Sequence, residues 1–216
     1  MTAPELVIFD CDGVLVDSEP ITNRLLRDDL AGRGLDLSLD QITRAFVGGT
    51  MRSVAEKAAT MGADMPPDWV DAFYVEMYGE LAKGTPLITG IEDAMDQLDA
   101  AAIPYCVGSN GSLQKMSITL GQHPGLQARL KGRLYSAHAL GTAKPDPDMF
   151  LIAARDFGVP PARCAVVDDS PTGCIAARRA GMTGFGYAEH DDGARLAAEG
   201  ATVFHHMRDL AGLLRI

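Results

Sequence analysis

The chain is poor in aromatic residues (6%, with a single tryptophan), has four cysteines, and contains no long apolar run. No hydrophobic stretch approaches the roughly 18 to 20 residues that a membrane-spanning helix needs, so no membrane partner is expected. The amino terminus shows no basic segment ahead of an apolar stretch; no secretory leader is expected, and a cytoplasmic setting is. Cys11, Cys106, Cys164 and Cys174 form neither a CxxC pair nor a Cys/His ligand pattern. Cys106 and Cys164 lie in apolar, strand-like runs and Cys174 in a helix-like one, which reads as buried free thiols in a reducing compartment. Basic residues are in the minority, 19 Lys and Arg against 29 Asp and Glu, for a formal net charge of −10. Such a surface repels phosphate backbones and anionic lipid, so no nucleic-acid partner is expected.

What is present suffices for a folded core. At 216 residues, 47% hydrophobic and 22% charged, the chain reads as one core plus an inserted module. Glu5 to Phe9 is a short apolar run without polar alternation, the mark of a parallel strand covered on both faces. Similar runs recur at Tyr105–Gly108, Ala165–Val167 and, more weakly, Gly184–Tyr187. Between them lie helical patterns at Glu92–Ala101, Pro147–Phe157 and Pro171–Ala180; Gly158 and Gly181 follow the last two as helix-ending residues. Strands alternating with helices of this length predict βαβ units and an α/β fold with a Rossmann-like, doubly wound parallel sheet.

Residues 20–83 break the rhythm. Helical patterns at Thr22–Ala31, Leu39–Phe46, Arg52–Met61 and Asp68–Ala82 follow one another with no buried strand between them, and turn signals flank the segment. The expected organisation is an α/β core of residues 1–18 and 85–216 with a helical insertion at 19–84. That insertion holds 7 basic and 11 acidic residues, so it is no basic clamp, and any anion contact must come from one or two placed cations.

Ligands of open parallel sheets bind beyond the carboxyl ends of the strands. Four groups fall there: Asp10 and Asp12 in DCDGVLVDSE, Ser109 and Asn110 in CVGSNGS, Lys144 in TAKPDPDMF, and Asp168 and Asp169 in VVDDSPTG. Each alone has an ordinary structural reading. A DxD can be incidental, a serine can cap a turn, a lysine before proline can be solvated, and an acidic pair can charge a helix start. Gathered at one edge, several carboxylates call for a cation, and oxygen ligands select a hard divalent ion such as Mg²⁺. Lys144 then offsets an anionic substrate.

The four motifs resemble those of the haloacid dehalogenase superfamily of phosphotransferases, with DCDGVLVDSE as the first, Ser109 the second, Lys144 the third and VVDDS the fourth. The resemblance spans Val7 to Gly181, and the helical insertion falls where one group of that family carries its cap domain. Within the superfamily the chain is similar to the β-phosphoglucomutase-like group, and SNGS…KM with VVDDSPTG to phosphogluconate-type sugar-phosphate phosphatases. The fourth motif often begins with glutamate in this group; here Asp168 stands there.

The resemblance implies a Mg²⁺-dependent phosphatase acting on a small phosphorylated metabolite, a sugar phosphate or phosphorylated sugar acid. Asp10 would be the nucleophile and Asp12 the acid and base. Asp10, the main-chain carbonyl of Asp12 and Asp169 would hold Mg²⁺, with Asp168 acting through water. Ser109 and Asn110 would bind phosphoryl oxygens while Lys144 balances their charge. In the insertion, Gly48-Gly49-Thr50 stands where related caps present a specificity loop, making Gly49 and Arg52 candidate substrate contacts; a plain helix-helix turn and a solvated arginine are the alternatives. His190 and the His205-His206 pair read as surface, and Trp69 as core.

Three other activities compete. A sugar phosphomutase shares the Asp10 chemistry, but its expected histidine past the first motif is replaced by Thr22, and Met51 takes the place of its cap arginine, with Arg52 one residue on. A receiver-type signalling domain is about half this length and places its acidic pair on the first strand. Carbon–halogen hydrolysis needs neither the Asp12 acid nor a metal-binding Asp169. The sequence favours neither monomer nor homodimer.

Overall fold

The computed structural model describes residues 2–46 and 50–216. Six strands, β1 (Leu6–Phe9), β2 (Tyr105–Ser109), β3 (Leu134–Ser136), β4 (Cys164–Asp168), β5 (Thr183–Tyr187) and β6 (Thr202–Phe204), form one sheet in the order β3-β2-β1-β4-β5-β6. Every neighbouring pair is parallel. This is the doubly wound, Rossmann-like order, and the strand sequence reverses direction beside β1.

The apolar run of β1 shows why it lies at the centre. Val7 and Phe9 face one hydrophobic layer, with Val107, Val167, Met95 and Leu98, while Leu6 and Ile8 face the other, with Val166, Met149 and Phe150. All four β1 side chains are fully buried, each burial stabilising by about 1.5–3 kcal/mol. Cys106 and Cys164 belong to the second layer, and all four cysteines are free and buried. The helices Asp148–Asp156 and Pro171–Arg179 cover that layer, and Gly158 and Gly181 after them adopt φ of 69° and 72°.

The strands β3 and β6 were not apparent from sequence. Each is three residues long and pairs on one side only, at opposite edges of the sheet, so neither carries the continuous apolar run of a central strand.

The chain divides into two compact units, Met1–Asp17 with Pro86–Ile216, and Ser18–Thr85. The second is helical, with helices at Glu19–Gly32, Leu39–Phe46, Met51–Thr60 and Trp69–Ala82. Its last helix buries every fourth residue, Trp69, Phe73, Met77 and Leu81, a continuous stripe at helical spacing. Trp69 stacks on Phe73 at 4.9 Å, and its indole N–H donates to Asp29 at 2.6 Å. Arg33 donates twice to the same carboxylate, at 2.8 and 3.0 Å. Ser38 and Gln41 form a reciprocal capping box at the start of Leu39–Phe46, and Thr50 caps Met51–Thr60. No helix among the described residues is long and apolar enough to cross a membrane.

Candidate active site

Strand register assembles the site. Phe9 pairs with Val107 on one side and Val167 on the other, so the residues that follow them emerge at the same edge. The backbone N–H of Asp10 donates to the Val167 carbonyl at 2.8 Å, which holds Asp10 alongside Asp168. Asp10, Asp168 and Asp169 offer carboxylate oxygens that all lie within 4.8 Å of one another.

Lys144 reaches into this group. Its Nζ donates to Asp10 Oδ1 at 2.5 Å and to Asp168 Oδ2 at 2.8 Å, and its side chain is 3% exposed. The loop that carries it is tied down by Asn110, whose Oδ1 accepts the Lys144 backbone N–H at 2.9 Å. The ammonium also lies 5.4 Å from the Phe150 ring centre. That ring packs over Gly108, where a Cβ would stand 2.9 Å from it.

Both oxygens of Asp168 are engaged within the protein. Oδ2 takes the Lys144 ammonium, while Oδ1 accepts both the Ser170 N–H at 3.0 Å and the Ser170 hydroxyl at 2.7 Å. Ser170 also caps the helix Pro171–Arg179 by accepting the Gly173 N–H at 3.1 Å. Two glycines make the packing possible. A Cβ at Gly173 would stand 1.9 Å from the Asp168 carboxylate, and one at Gly13, at φ +77°, would stand 2.2 Å from Asp169 Oδ2. The glycine of the DCDG motif is thus required both by its backbone angle and by the acidic neighbour.

Burial pushes the Asp10 carboxyl up to about 7; Lys144 opposes the rise, and Asp168 and Asp12 add to it. For Lys144, burial works against the charged form, but Asp10 and Asp168 outweigh it and raise the pKa above its ordinary value. Burial, with Asp12 and Asp10 adding to it, holds the Cys11 thiol well above its ordinary value and so disfavours the thiolate.

The phosphate-loop candidates adjoin this group. Ser109, at the end of β2, is 2% exposed, and its Oγ accepts the Gly111 N–H at 3.0 Å. Ser136, from β3, donates to the Gly111 carbonyl at 2.7 Å and fixes the loop from the other side. Asp12 lies in the turn after β1, and the Lys115 ammonium stands 2.8 Å from its Oδ1. Lys115, Ser170 and Gly173 stand inside the quoted stretches SNGS…KM and VVDDSPTG, but sequence reasoning gave them no role, and Ser136 left no signal.

Of the candidates in the insertion, Gly49 lies outside the described residues, and Arg52 is exposed in the first turn of Met51–Thr60. Trp69 is core, and His190, His205 and His206 are exposed.

The acidic cluster with Lys144 at the reversal point of a doubly wound sheet is the arrangement that the haloacid dehalogenase motifs lead one to expect. The chain belongs to that family: residues 4–181 match the haloacid dehalogenase-like hydrolases. Among them it stands with phosphoric monoester hydrolases. It is similar to the 6-phosphogluconate phosphatase of Escherichia coli K12, 28% identical over 214 residues that cover 99% of this chain and 96% of that one. It is also similar to a phosphoglycolate phosphatase of Rhodobacter capsulatus, 32% identical over 218 residues, 98% of this chain and 97% of the other. A crystal structure of a family hydrolase from Deinococcus radiodurans R1, with bound phosphate and sodium, superimposes with a TM-score of 0.81 at 32% identity, covering 100% of this chain and 97% of that one.

Proposed function

We propose that the protein is a Mg²⁺-dependent phosphatase that hydrolyses a small phosphorylated metabolite, a sugar phosphate or phosphorylated sugar acid, through an aspartyl-phosphate on Asp10. The observation that carries this reading is the buried contact of Lys144 with Asp10 and Asp168, beside Asp169, at the carboxyl ends of β1 and β4.

The donor set fits a hard divalent cation. Three carboxylates against one ammonium leave a net −2 when all are ionised, and burial, with Asp168 and Asp12 adding to it, raises the Asp10 pKa despite Lys144. Asp10, Asp169 and the Asp12 carbonyl would hold the ion. Asp168, with both oxygens engaged by Lys144 and Ser170, suits a role through water. When bound, Mg²⁺ supplies charge to the phosphoryl oxygens and keeps Asp10 ionised.

Asp10 attacks phosphorus, and the bond from phosphorus to the alcohol oxygen breaks as Asp12 gives that oxygen a proton. Asp12 then takes a proton from water as the water oxygen attacks phosphorus, and Asp10 leaves as a free carboxylate. Lys144 offsets charge on the transferring oxygens, and Ser109 with the Asn110 loop binds them. The helical unit is the proposed cap, with Arg52 and Gly49 as candidate substrate contacts.

Water is the proposed acceptor rather than a second sugar hydroxyl. The hydroxyl of Thr22, where a mutase would carry its histidine, donates to the Ser18 carbonyl at 3.1 Å and is committed to its own helix. The relatives named for 6-phosphogluconate and phosphoglycolate support the small anionic substrate class. Four free buried thiols support a cytoplasmic setting. The test is phosphate release from a panel of sugar phosphates and sugar-acid phosphates with and without Mg²⁺. Cation-dependent release from a few of them, lost in Asp10→Asn, is expected; release that survives chelation or this substitution overturns the reading.

A further inference from the structure

Lys115 sits where a helix does not favour it. It is the third residue of the helix Leu113–Leu120, whose Ser112 cap accepts the Lys115 backbone N–H at 3.0 Å. That position ordinarily carries Glu or Gln, and a cation there opposes the positive end of the helix dipole. No acidic residue in the first turn compensates. The ammonium instead crosses to Asp12, at 2.8 Å from Oδ1, with side-chain exposures of 14% and 19%. The approach is close-packed: a Cβ at Gly111 would stand 3.5 Å from Asp12 Oδ2 and 3.6 Å from Lys115 Cδ. The cap thus fixes the backbone of Lys115, and Lys115 fixes Asp12.

We infer that Lys115 is a positioning residue for the acid step, holding the Asp12 carboxyl where the leaving oxygen departs. A residue that breaks a local rule and bonds a functional group has its reason at the site rather than in the helix. Lys115 donates to one Asp12 oxygen and thereby orients the other. It gives up no proton itself; the proton that reaches the alcohol comes from Asp12. This rests on the reading of Asp12 as the acid of a phosphatase, and its consequence concerns leaving groups. An alkyl alcohol leaves poorly without a proton, whereas p-nitrophenolate needs none.

The experiment compares kcat/KM for p-nitrophenyl phosphate and for the best sugar phosphate of the substrate panel, at saturating Mg²⁺. The proteins are the wild type, Lys115→Met, Lys115→Arg, Asp12→Asn and the Asp12→Asn/Lys115→Met double variant, each checked by thermal melting. Lys115→Met is expected to lose on the order of 100-fold on the sugar phosphate, within the range of general acid catalysis, and several-fold on the aryl ester. Lys115→Arg, which retains the charge and the donor, recovers most of the sugar-phosphate rate. In the Asp12→Asn background, removing Lys115 shifts the ratio no further, because both changes act through one group. Lys115→Gln replaces the Met variant if the latter does not melt as a folded protein. Equal losses on both substrates, or a second full shift in the double variant, overturn the inference while leaving the phosphatase reading intact. No cation-dependent turnover by the wild type overturns the phosphatase reading itself.

Discussion

The polar contacts of the α/β unit and of the helical unit differ in reach. At the carboxyl edge of the sheet, Lys144 bonds Asp10 across 134 residues and Asp168 across 24, and Ser136 bonds Gly111 across 25, all from buried side chains. In the helical unit, Lys83 pairs with Glu80, Arg44 with Asp40 and Arg27 with Asp28, within four residues and largely exposed to solvent. Pairs of the second kind contribute between about zero and 1 kcal/mol. Lysine and carboxylates buried together are costly to desolvate and return little net stability, so the first kind is explained by what the groups do. Longer-range contacts in the helical unit, such as the Trp69 indole N–H to Asp29 and the Asn23 amide to the Thr43 hydroxyl, tie helices together rather than lining a reactive cluster.

The largest break in this contrast is Asp10→Asn. It removes the nucleophile while keeping the shape, so phosphate release should fall by several decades in a steady-state assay, with a melting curve that stays cooperative. A variant with near-wild-type turnover would remove Asp10 from the mechanism.

Next come the two charges beside it. Lys144→Met should lower turnover by about 100- to 1,000-fold even at saturating Mg²⁺, because charge compensation on the transferring group is lost. It also leaves Asp10 and Asp168 buried without their cation, which destabilises by about 3–5 kcal/mol in the absence of divalent ions. Asp169→Ala should instead raise the Mg²⁺ concentration at half-maximal activity. Magnesium titrations separate the two; equal rescue of both by added Mg²⁺ contradicts this division of labour.

A smaller effect tests packing rather than charge. Gly173→Ala places a methyl group where the Asp168 carboxylate stands, at 1.9 Å. The carboxylate or the helix must shift, at a cost of about 1–3 kcal/mol in stability. Misplacing the Lys144 partner should reduce kcat on the order of 10- to 100-fold. Unchanged kcat would show that Asp168 tolerates displacement.

The smallest effect belongs to the helical unit. Trp69→Phe deletes the indole donor to Asp29 while keeping most of the stack on Phe73. Chemical denaturation should show a loss of about 2 kcal/mol, with turnover of p-nitrophenyl phosphate unchanged.

The sequence made the centre of the sheet legible because β1, β2 and β4 are buried on both faces and read as apolar runs, each ending in a polar motif. Parallel pairing then brings Asp10, Ser109 and Asp168 to one edge whatever lies between them. The edge strands β3 and β6 were hidden because three half-paired residues carry no periodicity. Lys115 and Ser136 were hidden for a different reason. Their partners, Asp12 and the Gly111 carbonyl, are far away in sequence and are met only after folding. Gly173 read as an ordinary helix residue, since the carboxylate that excludes a side chain there comes from Asp168 at the end of β4 and leaves no mark on the helical pattern.

The central claim is that Asp10 carries the phosphoryl group, and trapping that species tests it most directly. The protein is quenched in acid during turnover of its best substrate with Mg²⁺, then reduced with borohydride, which converts an aspartyl-phosphate to homoserine. Peptide mass spectrometry should find homoserine at position 10 in the wild type and none in Asp10→Asn. Homoserine at another aspartate, or full turnover with position 10 never modified, would contradict the account.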